Sequence, residues 1–497
     1  MASLETTTPV LEKAAGGASP ELGETRAWKP SSIAADVATL GTGTLLGGLF
    51  NVTLVFVLPK LVSVEDYGYW RIFGLYAGYV GFLHFGFADG ALLRWASRPM
   101  EEFHHEIGPA LTYLFWQQVI VLAPLCALAV LVLPGPLKFV GAAIALFALV
   151  FNLVTLLQFG LQSAKMFRPV AISTVAAPAL FLGLVLLWHY HWHSDFREVT
   201  SFYATGWLTV LVFLLAWTKP WSGPRNTIEV KRLAKDCVQS GWPIVLANIG
   251  VALIVSADRL AVSWAATIQN FAQYSLAASA MAVPITVIQA CSKVFFSHLA
   301  GVTQDGRKRI YGISSRTLLI AWAILLPYYF ALDVFVRHFL PKYATSLPYA
   351  RILLLGIPFL ASILILQMSY AYLNGLQRHF LGRTATVLAV SLGVTSFAAL
   401  HTGSLRIVAG VQMAILGAWW LFNEWTLREL TGEMAGGWLK FLGIYGLASA
   451  SYWMATHWAG RDVAAAVLLY YSLLGVVLAL LCRGDVRLLR EVASKTS

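Results

Sequence analysis

The chain has 497 residues, of which 58% are hydrophobic and only 12% are charged. A soluble protein is usually about half apolar and about a quarter charged, so this composition excludes a soluble enzyme with one large core. The formal charge of +11 fits cytoplasmic loops rich in lysine and arginine better than a nucleic-acid partner. The apolar residues gather in many stretches of about 20 residues, the length that spans a bilayer. The sequence therefore predicts an all-α polytopic membrane protein.

The N-terminal segment 1–34 is rich in Ala, Gly, Pro and Glu and has no apolar run. It predicts a disordered cytoplasmic tail rather than a signal peptide. The four cysteines form no CxxC pair and fall in or beside different apolar segments, which indicates neither a metal site nor a disulfide framework. They are Cys126, Cys237, Cys291 and Cys482.

Fourteen apolar stretches follow the tail, and each predicts a transmembrane helix. They lie near 36–58, 68–88, 108–133, 137–161, 169–188, 200–218, 240–262, 271–297, 310–335, 347–373, 380–402, 404–425, 436–456 and 462–482. Because fourteen is even, both termini lie on one side. With the tail inside, 23 of the 35 basic residues fall in the tails and inside loops and seven in outside loops. This excess predicts that both termini are cytoplasmic.

The two halves of the chain resemble each other. The segment LVSVEDYGYW (61–70) follows the first span of its half as TIQNFAQYSL (267–276) follows the first span of the other. Aligning Tyr67 with Phe271 gives an offset of 204 residues. Two parallel six-span units with two further helices fit this offset best, and secondary transporters hold substrate between such repeats. The predicted divisions are an N-lobe at 35–218 with helices 1–6, a basic cytoplasmic linker at 219–239, a C-lobe at 240–425 with helices 7–12, helices 13–14 at 426–485 and a cytoplasmic tail at 486–497. An ordinary positive-inside loop is the alternative for the linker.

Three regions resemble a known family. VLPKLVSVEDYGYW (57–70) with GFADGALLR (86–94), SADRLAVSWAATIQNFAQYSLA (256–277) and FLPKYATSLPYARILLLG (339–356) are similar to the Wzx-type O-antigen and polysaccharide flippases. These belong to the multidrug/oligosaccharidyl-lipid/polysaccharide exporter superfamily. The resemblance covers about residues 35–485 and excludes both tails.

The resemblance implies two six-helix bundles around a central cavity, with two C-terminal helices outside it, and alternating access. The implied substrate is a polyprenyl-diphosphate-linked glycan that moves across the bacterial cytoplasmic (inner) membrane. Membrane lipids, a polysaccharide polymerase and glycosyltransferases are the partners it implies. The sugar does not follow from the resemblance, because these proteins diverge strongly in sequence.

Charged residues of the second span are the first cavity candidates. Arg71 and Asp89 are 18 residues apart, which on a continuous helix is five turns, so they would share a face roughly 27 Å apart along the axis. We expect Arg71 at the outer mouth of the cavity and Asp89 and Arg94 near its inner mouth, where cations would complement a diphosphate. In the alternative, the arginines extend to the two membrane interfaces.

A second candidate group lies in the second half. Asn248 and Arg259 nearly share a face of helix seven, and Asp258 precedes Arg259; an interfacial ion pair that sets helix depth is the alternative. Gln289 and Lys293 share a face of helix eight by their i,i+4 spacing. The repeat aligns Lys293 with Asp89, which suggests an ion pair between the lobes at the cytoplasmic end. A positive-inside anchor is the alternative for Lys293.

Uncharged and titratable groups complete the candidates. His84, deep in the second span, is a candidate for proton coupling, with helix packing as its alternative. Amides deep in the spans either bond helix to helix or bind sugar: Asn51, Gln117, Gln118, Asn152, Asn248 and Gln367. The alternating His189, His191 and His193 would point to one side of an extended segment and could bind a metal, although one short histidine tract is weak evidence.

The sequence gives little support to the hypothesis that the protein is an enzyme. The chain has no GxxxxGK[ST] loop, HExxH or GxSxG motif and no long loop to hold a sugar-transferase site, and the sequence predicts no cofactor. A multidrug exporter of the superfamily, a peptidoglycan-precursor flippase and a membrane polysaccharide polymerase or ligase remain as alternatives. The sequence favours the lipid-linked oligosaccharide flippase.

Overall fold

The protein is helical throughout the part that the computed structural model describes. That part comprises residues 30–96, 100–220, 227–281, 303–431, 436–458 and 462–481, with single residues between 284 and 299. Within these ranges no residue is in a β-strand. This confirms the all-α class that the composition predicts. Residues 1–29 of the predicted tail at 1–34 and the whole predicted tail at 486–497 lie outside the described residues.

The first half holds seven α-helices and one short 3₁₀ helix among its described residues. They are α1 (Pro30–Leu61), α2 (Val64–Ala77), the 3₁₀ helix Val80–His84, α3 (Phe87–Ala96), α4 (Met100–Val132), α5 (Leu137–Ser163), α6 (Phe167–His191) and α7 (Phe196–Thr218). Helix α1 packs on α6, and α5 lies centrally against α4 and α7.

The second half repeats this pattern with more interruptions. Its described α-helices are α8 (Thr227–Ala265), α9 (Ile268–Ser279), α10 (Gln304–Leu325), α11 (Tyr328–Phe339), α12 (Leu347–Leu353), α13 (Ile357–Ala361), α14 (Met368–Leu373), α15 (Gln377–Thr402), α16 (Leu405–Thr431), α17 (Gly436–Trp458) and α18 (Val463–Leu481). A π-helical turn at Ser362–Gln367 joins α13 to α14. Helix α8 packs on α15, and α17 packs on α18.

Eleven described segments are long and apolar enough to cross a membrane. They include the predicted spans at 200–218, 380–402 and 404–425, which correspond to α7, α15 and α16. Three predicted spans are not among the eleven. The second is interrupted, the eighth is described only in part, and the thirteenth is the helix α17, which is less apolar than the eleven segments. The chain is therefore a multi-pass membrane protein.

The predicted second span is not one continuous helix. Helix α2 ends at Ala77, a 3₁₀ turn follows, and α3 begins at Phe87. Between them Phe85 has a left-handed backbone (φ 50°) and Gly86 a φ of 81°, which ends the regular helical hydrogen-bond pattern. The expectation that Arg71 and Asp89 share one helix face is therefore wrong.

Amide side chains from neighbouring helices satisfy the carbonyls that this interruption leaves free. Gln118 Nε2 and Gln117 Nε2 donate to the Leu83 carbonyl at 2.9 and 3.0 Å. Asn152 Nδ2 donates to the Val80 carbonyl at 3.0 Å. Inside a bilayer each unpaired carbonyl costs several kcal/mol, so these amides stabilise the break. For these three residues the helix-bonding alternative is the one observed.

The internal repeat is visible in how α2 and α9 begin. Ser63 caps α2, where its side chain accepts from the backbone N–H of Asp66. Thr267 caps α9 in the same way with Asn270. The capping positions 63 and 267 are 204 residues apart, the offset that aligns Tyr67 with Phe271, and both of these aromatic side chains are buried. The local signal behind the repeat is therefore a shared helix start.

The two helices of the repeat meet each other at what we name the outer contact. Helix α2 packs on α9 there, with Gly68 so near Ile268 that an added Cβ would lie 2.7 Å from its side chain. The equivalent residues Glu65 and Gln269 approach to 3.4 Å. The name follows the predicted orientation, in which the turn between α1 and α2 lies on the outer side of the membrane.

The opposite ends of the two halves meet at the inner contact, where α3 packs on α8. A Cβ atom on Gly90 would overlap the Cys237 carbonyl, and one on Gly241 would overlap the Gly86 carbonyl. Only glycine permits this backbone approach. The contact also corrects the predicted linker at 219–239, because α8 already begins at Thr227.

The early start of α8 has a plain physical cause. Leu233, Ala234 and Cys237 are buried at helical spacing, whereas the basic residues beside them are exposed: Lys231, Arg232 and Lys235. Such an amphipathic pattern stabilises a helix on a neighbouring apolar surface. The charges that suggested a loop lie on its solvent-facing side.

Replacement of Gly90 by valine should open the inner contact. Overpacking costs about 1–3 kcal/mol, which is about a 5- to 150-fold change in an opening equilibrium. We expect faster alkylation of Cys237, which is only 1% exposed, by N-ethylmaleimide in a protein whose other three cysteines are serine. Gly393→Val is the matched control because a Cβ there meets nothing within 4 Å. An unchanged alkylation rate in Gly90→Val would contradict the close contact.

Candidate functional site

A cavity of about 720 Å³ lies between the two halves. We call it the central cavity. Its lining comes mainly from α2, α8 and α9, with smaller contributions from α1, α13 and the π-helical turn. The described lining residues are Val55, Arg71, Gly74, Leu75, Gly78, Tyr79, Asn248, Val251, Ala252, Val255, Ser256, Arg259, Ala278, Ser279, Ile285, Ser292, Leu360, Leu364 and Met368.

The two contacts bound this cavity along both of the helices that form most of it. In the second span the lining residues 71–79 lie between the outer contact at Gly68 and the inner contact at Gly90. In α8 the lining residues 248–259 lie between the inner contact at Gly241 and the outer end of the helix. The lining of the cavity therefore lies between the two contacts.

Arg71 projects from α2 into the central cavity. Its guanidinium lies 5.9 Å from the ring centroid of Tyr67, and its buried Nε has no hydrogen-bond partner. No carboxylate of the described residues lies within ion-pair distance of Arg71. Arg71 therefore brings to the cavity a positive charge without a carboxylate partner among the described residues. Its position at the outer mouth stays a prediction.

Arg259 supplies a second cation from the other half. It lines the same cavity as Arg71 and, in the described part of the chain, likewise has no carboxylate partner. Asn248 lines the cavity too, as the near-shared face of Asn248 and Arg259 predicts. The two arginines make the cavity a place for an anion, because buried cations are stable only when they are paired or hydrated.

Asp258 does not neutralise these cations. Its side chain is only 2% exposed, where Oδ2 accepts from the Tyr274 hydroxyl at 2.7 Å and Oδ1 from the backbone N–H of Arg259 at 2.7 Å. It is absent from the cavity lining. Asp258 instead ties α8 to α9 beside the cavity, so the ion-pair alternative for Asp258 and Arg259 is not what the structure contains.

His84 and Asp89 belong to the interruption of the second span. His84 is buried, and its Nδ1 accepts from the backbone N–H of Gly86 at 3.1 Å. Its Nε2 lies 3.6 Å from Asp89 Oδ2. Neither residue lines the central cavity as described. The geometry supports the helix-packing role of His84, and its part in proton coupling stays a prediction.

Arg94 connects the halves at the inner contact. Its guanidinium makes two hydrogen bonds to Glu106, at 2.7 and 2.9 Å, and Nη1 lies 3.5 Å from Asp236 on α8. Trp95 Nε1 also donates to Glu106 at 3.0 Å. Arg94 is thus an inter-half ion-pair residue on the inner side of the cavity rather than part of its lining.

Two other predicted groups stand apart from the cavity. Gln289 and Lys293 lie outside the described residues, so the suggested pair of Lys293 with Asp89 keeps its status as a prediction. Across the described ranges no three His, Cys, Asp or Glu residues are placed to hold a metal ion. The histidine tract at 189–193 therefore has no assembled ligand set there.

Sequence reasoning missed several residues around the site. Tyr79 and Ser256 line the cavity from opposite halves and share a hydrogen bond. A second cavity has six aromatic side chains among its fourteen lining residues. Their helices are far apart in sequence, and no local pattern signals that the rings meet.

Comparisons with known proteins agree with this geometry. A model of a polysaccharide biosynthesis protein family matches residues 199–343, a range that includes Asn248 and Arg259. No curated protein matches the chain in sequence.

Solved structures show the same fold. The lipid II flippase MurJ in an inward closed conformation superposes with a TM-score of 0.66 at 11% identity, over 90% of this chain and 100% of that one. An inward-facing multidrug resistance MATE family transporter of the MOP superfamily gives 0.60 at 12% identity, over 80% and 100%. An outward-facing one gives 0.55 at 12%, over 80% and 97%.

At such low sequence identities, the similarity to these structures concerns the fold alone. The family match concerns only residues 199–343 of the chain.

Proposed function

We propose that this protein moves a polyprenyl-diphosphate-linked oligosaccharide, such as a surface polysaccharide or O-antigen repeat unit, across the cytoplasmic membrane by alternating access. The observation that carries the proposal is the pair Arg71 and Arg259. They come one from each half, line the same cavity and have no ion-pair partner among the described residues. Guanidinium groups bind phosphate oxygens in a bidentate manner. A diphosphate between them would neutralise both.

The size of the cavity indicates which part of the cargo it would hold. A volume of about 720 Å³ is in the range that accepts a small polar head group. The polyprenyl chain stays in the lipid, where it needs no protein contact to be stable. The diphosphate and its first sugar enter the cavity. Opening the inner contact would admit them from the cytoplasmic side, and opening the outer contact would release them on the other side.

The interruption between α2 and α3 supports two separate openings. The outer contact is made by α2 and the inner contact by α3, and the turn between them is not a regular helix. Movement at one end therefore need not be transmitted rigidly to the other. A ligand that binds the state with both contacts closed more tightly than either open state shifts the population toward that closed state.

The cavity lining argues against a cationic drug as cargo. It contains two arginines and, as described, no acidic side chain, because Asp258 faces Tyr274. A peptidoglycan-precursor flippase is the second candidate, supported by the fold shared with the lipid II flippase. That cargo is also a lipid-linked diphosphate, so the arginines serve both candidates and the sugar distinguishes them. A polymerase or ligase would need acidic or basic catalytic groups on a long external loop, and the loops between the predicted spans are short.

Gene deletion with complementation tests the proposed function. Deletion should remove one surface polymer and leave undecaprenyl-diphosphate-linked repeat units on the cytoplasmic side. Arg71→Gln and Arg259→Gln should each restore export about tenfold less well than the wild type, since a hydrogen bond to a charged group contributes about 1.5–3 kcal/mol. Arg351→Gln is the matched control, because this arginine packs 4.0 Å from the Trp453 ring centroid away from the cavity.

Two results would contradict this proposal. If intact polymer persists in the deletion strain while drug sensitivity changes, the exporter alternative is favoured. If both cavity variants restore export as well as Arg351→Gln does, the arginines do not hold the cargo. Loss of peptidoglycan synthesis instead of one surface polymer would favour the second candidate.

Reversible cross-links test alternating access itself. Cysteines at Phe85 and Trp242, whose rings lie 6.2 Å apart, can be joined by a short reducible bifunctional thiol reagent across the inner contact. Cysteines at Glu65 and Gln269 do the same across the outer contact. We expect either cross-link alone to stop export and reduction to restore it, because a carrier must open at both ends. Export that continues through a fully cross-linked contact would contradict the mechanism; single-cysteine variants are the controls.

A further inference from the structure

A second cavity of about 330 Å³ lies inside the first half, among α1, α2, α5, α6 and α7. We call it the aromatic cavity. It adjoins the central cavity, since both are lined by Val55, Arg71, Gly74 and Gly78. Arg71 therefore stands at the junction of the two.

Six of its fourteen lining residues are aromatic. The six that line it are Tyr67, Trp70, Phe147, Phe151, Phe181 and Tyr203. Their centroids are 5.2 Å apart for Trp70 and Phe181, and 5.2 Å for Phe147 and Tyr203. The rings hold one another in tilted and edge-on arrangements, which aromatic pairs prefer. This produces a rigid pocket whose lining offers flat, weakly negative ring faces.

Polar groups without partners interrupt this apolar wall. The Tyr67 hydroxyl has no hydrogen-bond partner although its side chain is only 1% exposed. The Arg71 Nε is also buried and also has no hydrogen-bond partner. Asn51 also lines the cavity, and its Nδ2 donates to the Gly47 carbonyl at 2.9 Å, which leaves Oδ1 as an acceptor. Buried polar atoms without partners are costly, so the occupant should supply hydroxyl or amide groups to them.

We propose that the aromatic cavity is a subsite for a pyranose ring of the cargo. A sugar ring has an apolar C–H face that packs on aromatic rings and a rim of hydroxyls that meets the tyrosine, arginine and asparagine groups. With the diphosphate in the central cavity, the sugar attached to it would reach this subsite past Arg71. A polyprenyl or acyl chain fits less well, because it would leave the Tyr67 hydroxyl and Arg71 Nε buried without partners. The inference rests on the proposed function and adds the class of group that is recognised.

Binding to the full-length protein in lipid nanodiscs tests the subsite with two probes. One is undecaprenyl diphosphate, which has no sugar, and the other is undecaprenyl-diphosphate-linked N-acetylglucosamine. We expect the sugar to tighten binding to the wild type. Phe151→Leu and Tyr203→Leu should lose about tenfold in affinity for the sugar-bearing probe, the usual scale for an aromatic side chain central to a binding site, and less than twofold for the sugar-free one.

Phe73→Leu is the matched control. Phe73 belongs to the same group of packed rings, 5.6 Å from Phe147 and 5.8 Å from Tyr203, but it is absent from the cavity lining. It should leave the ratio of the two affinities unchanged. This control separates loss of packing in the first half from loss of a contact with the sugar.

The possible outcomes are distinct. Equal affinity of the wild type for both probes, or an unchanged affinity ratio in both cavity variants, would overturn the subsite. A cavity variant that weakens the sugar-free probe equally would instead assign the cavity to the lipid chain and overturn it as well. If neither probe binds the wild type, the proposed function itself fails, and the subsite falls with it.

Discussion

Two arginine side chains share a cavity inside a membrane protein without a carboxylate to pair with among the described residues. Arg71 and Arg259 come from different halves and face the same space. In a low-dielectric surrounding, such charges are tolerated only with water or an anion beside them. Asp258, which precedes Arg259, forms no ion pair with either arginine and instead accepts a hydrogen bond from the Tyr274 hydroxyl. The molecule thus keeps its cations available where its halves meet, and an anionic head group is the cargo that this arrangement suits.

The backbone around the cavity is arranged to keep the two ends separate. The outer contact depends on Gly68 and the inner contact on Gly90 and Gly241, positions where a side chain would separate the helices. Between these contacts the second span leaves the regular helix, and Gln118 and Asn152 satisfy the carbonyls that the turn exposes. The amides thus allow an irregular backbone within the membrane, which lipid alone would not tolerate. The same segment presents Arg71 to the cavity on one side of the turn and Arg94 to the inner contact on the other.

The sequence predicts the all-α class, the order of the spans and the repeat, because hydropathy and helix starts such as Ser63 and Thr267 are local properties of the chain. It places Asn248 and Arg259 near one another because both lie on one helix. It fails at the interruption near Gly86, whose carbonyls are satisfied by amides from α4 and α5, and at the start of α8, whose charged residues obscure an amphipathic helix. Asp258 looks like a cavity residue from sequence because its partner Tyr274 belongs to another helix. The aromatic cavity has no signal in sequence, since its rings come from four helices.

Transport of a defined lipid in proteoliposomes tests the central claim most directly. The purified protein would be reconstituted with undecaprenyl-diphosphate-linked N-acetylglucosamine and, separately, with the corresponding monophosphate lipid, and the lipid reaching the opposite leaflet would be measured. The account predicts that the wild type moves the diphosphate lipid much faster than the monophosphate, and that a variant with both Arg71→Gln and Arg259→Gln loses this preference. Equal rates for the two lipids in the wild type, or an undiminished preference in the double variant, would contradict the claim that the paired cations of the central cavity hold the cargo.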